Sequence, residues 1–255
     1  MAFQDPFFVS LYEQIDGTRT VDRAFYLEQA RLANGPILDL GCGSGRLLLP
    51  MLEAGHEVVG LDSSEAMLDK LRSSGDRFSP VLLHSAFEDL DVDALLKIHD
   101  GYDLIICAFN SFLHLINQES QLAFLKRIRP LLTSSGRFIL DFVNPCSHEM
   151  FATAETEREL EHRYYDEATG ESIESWLTIK QDIIEQTGAL HREYEITSPD
   201  GEVEERTSVV RYRWTYPSEM NLLLKLAGFV EVKVYGDYAF GPLTEETDEQ
   251  IWIVR

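Results

Sequence analysis

Cationic side chains are scarce in this sequence: 22 Lys and Arg stand against 44 Asp and Glu, a formal net charge of -22 over 255 residues. Such a surface repels phosphate backbones and anionic lipid at long range, and no run of Lys or Arg offers a local exception. Nucleic acid and membrane are therefore not expected partners, and the acid excess reads as a solubility device. Cysteine is scarce too. Cys42, Cys107 and Cys146 neither pair evenly nor show metal-ligand spacing, which argues against a disulfide framework and a cysteine-based metal centre. Cys42 and Cys107 lie in apolar, strand-like surroundings, where a thiol behaves as a small hydrophobe. No apolar run approaches bilayer length, and the N-terminus lacks the basic, apolar and small-residue order of a signal peptide. The expected location is a reduced cytoplasm, and no metal site is expected.

What is present is an alternation of short apolar runs with helical patterns. Phe3 to Tyr12 and Asp22 to Ala33 read as helices about a turn containing Gly17. Ile37 to Leu40, His56 to Leu61, Val81 to Leu83, Tyr102 to Ala108 and Arg137 to Asp141 read as buried strands. Between them Arg46 to Ala54, Ser64 to Leu71 and Gln118 to Leu132 read as helices. Continuous apolar strands separated by helices imply a parallel sheet covered on both faces. After Pro145 the character changes. Met150 to Glu167 is acidic and polar, and Ser175 to Asp182, Leu190 to Thr197 and Val203 to Tyr216 read as antiparallel strands, the last two joined by the turn Pro199-Asp200-Gly201. Pro217 opens a helix closing at Gly228, and Val230 to Tyr235 and Ile251 to Val254 are the final strands. The expected architecture is an α/β, doubly wound Rossmann-like sheet of seven strands, the last antiparallel, with an inserted antiparallel β subdomain. The expected division is residues 1–145 for a cofactor-binding core, 146–216 for the insertion and 217–255 completing the core sheet.

The chemistry concentrates in Ile37-Leu38-Asp39-Leu40-Gly41-Cys42-Gly43-Ser44-Gly45-Arg46: a strand, a glycine-rich turn and a helix start. Glycines there let the backbone bend sharply and approach a ligand, and the following helix offers free N–H groups. Gly41, Gly43 and Gly45 are spaced G-x-G-x-G, which is not the G-x-G-x-x-G of dinucleotide folds, and the Lys-Ser/Thr pair of a P-loop is missing. Asp62 follows at the end of the second strand, where an acidic side chain accepts both ribose hydroxyls of a nucleoside laid over the carboxyl edge of the sheet. A lone Asp at a strand end also serves as a helix cap; its place after the glycine loop favours the ribose role.

These residues resemble the class I S-adenosylmethionine-dependent methyltransferases. Asp39-x-Gly41-x-Gly43-x-Gly45 is similar to the family's first motif, and Val59-Gly60-Leu61-Asp62-Ser63-Ser64-Glu65-Ala66-Met67-Leu68 to its acidic follower, which brings Ser63 and Met67 to the cofactor. His84 to Leu90 resembles the loop that holds adenine, implicating Ala86 and the backbone of Phe87. Asp103 to Leu115 is similar to the fourth-strand segment, whose carbonyls hold the methionyl amine at Cys107 or Ala108. Its Asn110-Ser111-Phe112-Leu113-His114-Leu115 looks like glycine N-methyltransferases and their small-molecule relatives, where Asn and His face the acceptor; Asn110 and His114 are thus the implied catalytic residues. The resemblance implies S-adenosyl-L-methionine as cofactor, a small-molecule acceptor, and an aromatic N-terminal helix closing over the pocket, here Tyr12. Those glycine enzymes carry an arginine after the fifth strand for the substrate carboxylate, but Asp141-Phe142-Val143-Asn144-Pro145 has none. Tyr235-Gly236-Asp237-Tyr238 resembles a turn near the acceptor. Tyr212 and Trp214 are candidate pocket aromatics, and the insertion is a candidate homodimer contact. The expected reaction is N- or O-methylation of a small metabolite, amine ahead. The rivals are a non-catalytic cofactor-binding partner or sensor and an NAD-dependent oxidoreductase, the latter disfavoured by the glycine spacing.

Overall fold

The computed structural model describes residues 2–15, 17–74, 78–167 and 169–255. The first half winds β1 (Ile37–Leu40), β2 (Val58–Asp62), β3 (Val81–His84), β4 (Tyr102–Cys107) and β5 (Leu132–Val143) into one sheet. The chain returns to it with β10 (Val232–Tyr235) and β11 (Glu249–Val254). The order is β10-β11-β5-β4-β1-β2-β3, with β11 antiparallel to both neighbours and the other pairings parallel. Because successive residues of a strand point to opposite faces, each strand feeds two cores. Leu38, Leu40, Ile105, Phe138 and Leu140 join Phe112, Phe124 and Trp252 on one side. Ile37, Leu104, Ile106 and Ile139 join Leu48 and Leu68 on the other. Each fully buried side chain of this size contributes about 1.5–3 kcal/mol.

The covering helices are α1 (Pro6–Ile15), α2 (Arg23–Arg31), α3 (Leu48–Glu53), α4 (Glu65–Ser74), α5 (Val92–Ile98), α6 (Gln118–Ile128) and α7 (Pro217–Leu226). Most of the expected helices are shorter than the apolar pattern suggests. A 3₁₀ turn at Arg129–Leu131, containing Pro130, ends α6 before Leu132, and β5 begins there rather than at Arg137. The first helix starts only at Pro6 and runs past Tyr12 to Ile15. Helix α5 was not expected; Asp91 caps it, accepting from the Ala94 N–H at 3.0 Å.

The insertion is a second sheet, an antiparallel meander of β6 (Glu159–Asp166), β7 (Glu171–Asp182), β8 (Thr187–Thr197) and β9 (Val203–Arg213). Its first strand falls in the stretch read as merely acidic and polar. One end of its inner face packs on α1, where Ile173, Tyr194 and Ile196 meet Leu11, Phe7, Phe8 and Ile15. The other end joins the main core through Ile179, Tyr212 and Trp214 around Phe151. Tyr212 and Trp214 are therefore core aromatics. Arg213 secures the return to the core: its guanidinium donates to Gln121 Oε1 of α6 at 2.8 Å and pairs with Glu219 of α7 at 2.7 Å.

Candidate functional site

The strand order reverses between β1 and β4, and the crevice at their carboxyl ends is where open α/β sheets take ligands. A cleft of about 390 Å³ opens there, lined among others by Tyr12, Asp39, Gly43, Arg46, Ala108 and Phe109. The three loop glycines serve different ends. All have positive φ: +74° at Gly41, +53° at Gly43 and +95° at Gly45. A Cβ on Gly41 would lie 2.6 Å from Ser111 Oγ, and one on Gly45 2.4 Å from Leu71 Cδ1, so both positions are demanded by packing within the protein. A Cβ on Gly43 would meet no protein atom within 4 Å. That position opens onto the cleft.

Asp62 closes the loop from β2. Its Oδ2 accepts from the Gly43 N–H and its Oδ1 from the Ser64 N–H, each at 2.8 Å. A carboxylate has about four lone-pair sites, so both oxygens retain capacity for hydroxyl donors. Burial raises the Asp62 pKa, opposed by those backbone donors. Ser63 offers its carbonyl to Gln4 Nε2 at 2.7 Å, and the Ser64 hydroxyl donates to the Phe3 carbonyl, so the N-terminal segment is tied directly over Asp62. Met67 is buried in α4 beside this point. On the glycine loop, Ser44 Oγ donates to Glu13 of α1.

Beyond Asp39 the cleft rests on a buried charged cluster. Burial pushes the Asp39 carboxyl up to about 7, against the pull of Arg46. Arg46 is held bidentately by the fully buried Asp22, at 2.6 and 2.7 Å. Arg19 pairs with Glu249 at 2.8 Å and lies 4.7 Å over the Phe109 ring. Asp141 accepts from the Tyr26 hydroxyl, from Tyr238 at 3.1 Å and from the Phe109 N–H at 3.0 Å. Burial raises Asp141 to about 6 and Glu249 to about 7. Tyr238 thus draws the turn at Tyr235–Tyr238 into this cluster.

The segment after β4 is bent by two consecutive non-glycine residues with positive φ, Phe109 (50°) and Asn110 (64°), an uncommon conformation that persists only where surrounding contacts hold it. Asn110 supplies part of that hold: its Oδ1 accepts from the Val143 N–H at 2.8 Å, and its own N–H donates to the Asp141 carbonyl at 3.1 Å. The side-chain carbonyl implied for the acceptor is therefore committed to β5. The Cys107 side chain is fully buried in the sheet core, while Ala108 reaches the cleft. The Ala86-Phe87 loop follows β3, and the Phe87 ring packs on Phe124, centroids 4.7 Å apart. Arg127 donates to the carbonyls of Glu88 and Phe87, fixing the loop's backbone.

His114 stands at the open junction of this segment with the second sheet. Its Nδ1–H donates to the Arg211 carbonyl of β9 at 3.3 Å, so the lone pair of the neutral ring is on Nε2. Desolvation lowers its pKa, opposed by that carbonyl and by the carboxylates of Asp62 and Glu88, and its side chain is not part of the cleft lining. A neutral imidazole results near pH 7.

A second chamber of about 570 Å³ lies between α1 and the inner face of the β6–β9 sheet, and Tyr12 lines it as well as the first cleft. Sequence reasoning missed this chamber's polar lining and the roles of Ser44, Arg46 and Glu13. Arg46 carried a signal, as a lone cation directly following the glycine loop. Among the described residues no group of His, Cys, Asp and Glu is arranged to hold a metal ion, and no helix is long and apolar enough to cross a membrane.

Fold and cleft together define a doubly wound nucleoside-binding protein. Residues 37–136 match the methyltransferase domain family. The chain is 30% identical over 220 residues to a glycine/sarcosine/dimethylglycine N-methyltransferase of Actinopolyspora halophila, an alignment covering 84% of this chain and 35% of that enzyme. It is 25% identical over 224 residues to the cypemycin N-terminal methyltransferase of a Streptomyces species, covering 86% and 82%. The CcbJ methyltransferase of Streptomyces caelestis superimposes with a TM-score of 0.80 at 27% identity, over 100% of this chain and 98% of that one. The chain belongs to the class I S-adenosylmethionine-dependent methyltransferases. It spans about a third of the length of the glycine/sarcosine/dimethylglycine enzyme.

Proposed function

We propose that this protein transfers the methyl group of S-adenosylmethionine to a nitrogen of a small amine-bearing metabolite. The observation that carries the reading is the glycine loop with its carboxylate. The Gly43 position opens onto the cleft, and Asp62, fastened by the Gly43 and Ser64 N–H groups, keeps acceptor capacity. His114, on the segment after β4, lies within the electrostatic reach of Asp62. The cofactor supplies a methyl group already activated on sulfonium, so the protein's task is to align the acceptor and exclude water. Asp62 holds the ribose hydroxyls, with Ser63 and Met67 beside it. The Phe87 backbone and Ala86 border the adenine. Asp39, the Gly41-Gly43-Gly45 backbone, the main chain at Cys107 and Ala108, and Tyr12 enclose the methionyl part.

His114 accepts or orients the acceptor proton, since transfer requires the amine to be neutral. Asn110 serves this indirectly, fixing the strained turn that presents His114. The insertion supplies the acceptor side and is a candidate dimer contact. The similar proteins named for N-methylation of glycine, sarcosine and a peptide terminus support nitrogen over oxygen. The test is incubation of a metabolite pool with isotope-labelled methyl donor, the product identified by mass and fragmentation. A labelled small amine supports the reading; labelled alcohols or carboxylates alone move the acceptor to oxygen, and no labelled small molecule in the presence of tight cofactor binding supports a sensor.

A further inference from the structure

The inner face of the four-stranded sheet is apolar at both ends and polar in the middle. Between the cluster on α1 and the cluster on Phe151 lie Glu161, His162, Ser175, Arg192 and Ser208. Ser175 is 1% exposed and Ser208 7%. Burying such a row costs free energy unless it is satisfied, and satisfying a simple structural face does not require a chamber beside it. Arg192 grips Glu161 with two hydrogen bonds, 2.7 and 2.8 Å, and the Ser175 hydroxyl reaches the same carboxylate at 3.5 Å. Tyr194 and Ser208 hydroxyls lie 3.3 Å apart. The Arg192 guanidinium holds Glu161 ionised, its pKa lowered despite burial.

The backbone is adapted to this arrangement. Adjacent residues of a regular strand face opposite sides, yet Glu161 and His162 both line the chamber. The pairing of β6 with β7 slips between Leu160 and His162, a bulge that turns Glu161 inward. Bulges of this kind re-aim side chains at functional sites. Facing the polar strip, α1 and the turn before it present Phe3, Phe8, Leu11 and Ile15.

We infer that this chamber, with the Glu161–Arg192 pair at its centre, recognises the acceptor, and that the acceptor is a hydroxylated ring bearing an amine. The inference rests on the methyl-transfer reading. One wall offers a carboxylate, a guanidinium and three hydroxyls for a polyhydroxylated edge. The other offers apolar and aromatic surface for the opposite ring face. Tyr12, which borders both cavities, marks the passage by which the amine end reaches the cofactor cleft. Aliphatic amines of equal size bring no hydroxyl to the strip and forgo the hydrogen bonds a hydroxylated ring makes with it.

The probes are amino hexoses and, as matched apolar amines, cyclohexylamine and its alkyl derivatives. Binding to the full chain saturated with S-adenosylhomocysteine is followed by ligand-observed magnetic resonance, with cofactor affinity measured separately by calorimetry. The expected result is binding of amino hexoses in preference to cyclohexylamine. Glu161→Gln and Arg192→Lys are expected to weaken that binding about tenfold or more, the equivalent of one hydrogen bond to a charged group. Cofactor affinity should stay within about twofold by the same calorimetry. Ser208→Ala, a smaller change in the same strip, provides a variant that keeps the ion pair should the other two fail to fold. Equal or better binding of the apolar amines, no amine binding at all, or amino-hexose binding indifferent to all three substitutions overturns the inference. Failure of wild-type protein to bind S-adenosylhomocysteine overturns instead the reading on which it rests.

Discussion

The two cavities that meet at Tyr12 are built in opposite ways. On the cofactor side the ligand-facing surface is mostly main chain: a glycine loop at positive φ, strand-end carbonyls, and one carboxylate fastened by two backbone N–H groups. On the side we propose for the acceptor it is side chains alone, projecting from the inner face of an antiparallel sheet whose backbone is already paired. A main-chain site constrains residue type tightly, because few residues tolerate its conformations. A side-chain site on a sheet leaves the choice of side chain free, and specificity can vary there without disturbing the fold.

The sharpest break between the two sides should come under the cofactor wall. Asp22→Ala leaves Arg46 charged and partly buried without its bidentate partner, a change that costs about 3–5 kcal/mol. A large fall in thermal midpoint with the cofactor absent is the expected outcome, and no acceptor-side substitution should approach it. Asp62→Ala is expected to reduce cofactor affinity by at least about tenfold for each lost hydrogen bond of about 1.5–3 kcal/mol, measured by calorimetry on folded protein.

The glycines divide the cofactor wall itself. Gly45→Ala should destabilise the apoprotein, since it adds a Cβ at φ +95° within 2.4 Å of Leu71. Gly43→Ala should cost only the left-handed backbone penalty of about 1–2 kcal/mol while obstructing the ligand. Comparing melting with and without S-adenosylhomocysteine separates the two. Apoprotein melting that ranks Gly43→Ala below Gly45→Ala would contradict the assignment.

That division also explains what could be read in advance. Gly41, Gly43, Gly45 and Asp62 were legible because backbone geometry and a strand-end carboxylate impose residue types at fixed spacing. The seven-stranded sheet followed from its continuous apolar strands. Strand β6 was not legible, because Glu159, Glu161, His162 and Arg163 hide its pattern and the bulge at Glu161 breaks its alternation. Glu161 and Arg192 are brought together by pairing across β7, a contact no local pattern records. Asn110 was read as a catalytic residue facing the acceptor, but its side-chain carbonyl accepts from the Val143 N–H, a contact that belongs to the return of β5 and needed the fold to be seen.

A smaller effect tests the buried cluster beneath the cofactor wall. Asp141, Asp39 and Glu249 have pKa values raised to about 6, 7 and 7. The folded state therefore binds protons that the unfolded chain has already released, and stability contributed by their protonation falls as pH rises from about 4 to about 7. Self-repulsion of the net charge acts in the same direction. The thermal midpoint should drop as pH rises from about 5 to about 7, and Glu249→Gln should flatten part of that slope. Smaller again for binding, but not for rate, is His114→Ala: turnover should fall by about 10²–10⁴ if the imidazole takes the proton, with cofactor affinity unchanged. In the wild type the rate then declines as pH drops through the histidine's lowered pKa.

Titration of S-adenosylhomocysteine into wild-type protein and Asp62→Ala, with NAD as the control ligand, tests the central claim most directly. The account predicts one saturable site per chain in the wild type, lost or greatly weakened in folded Asp62→Ala, and no NAD binding. Equal affinity in both proteins, or a site that takes NAD and not S-adenosylhomocysteine, would contradict it.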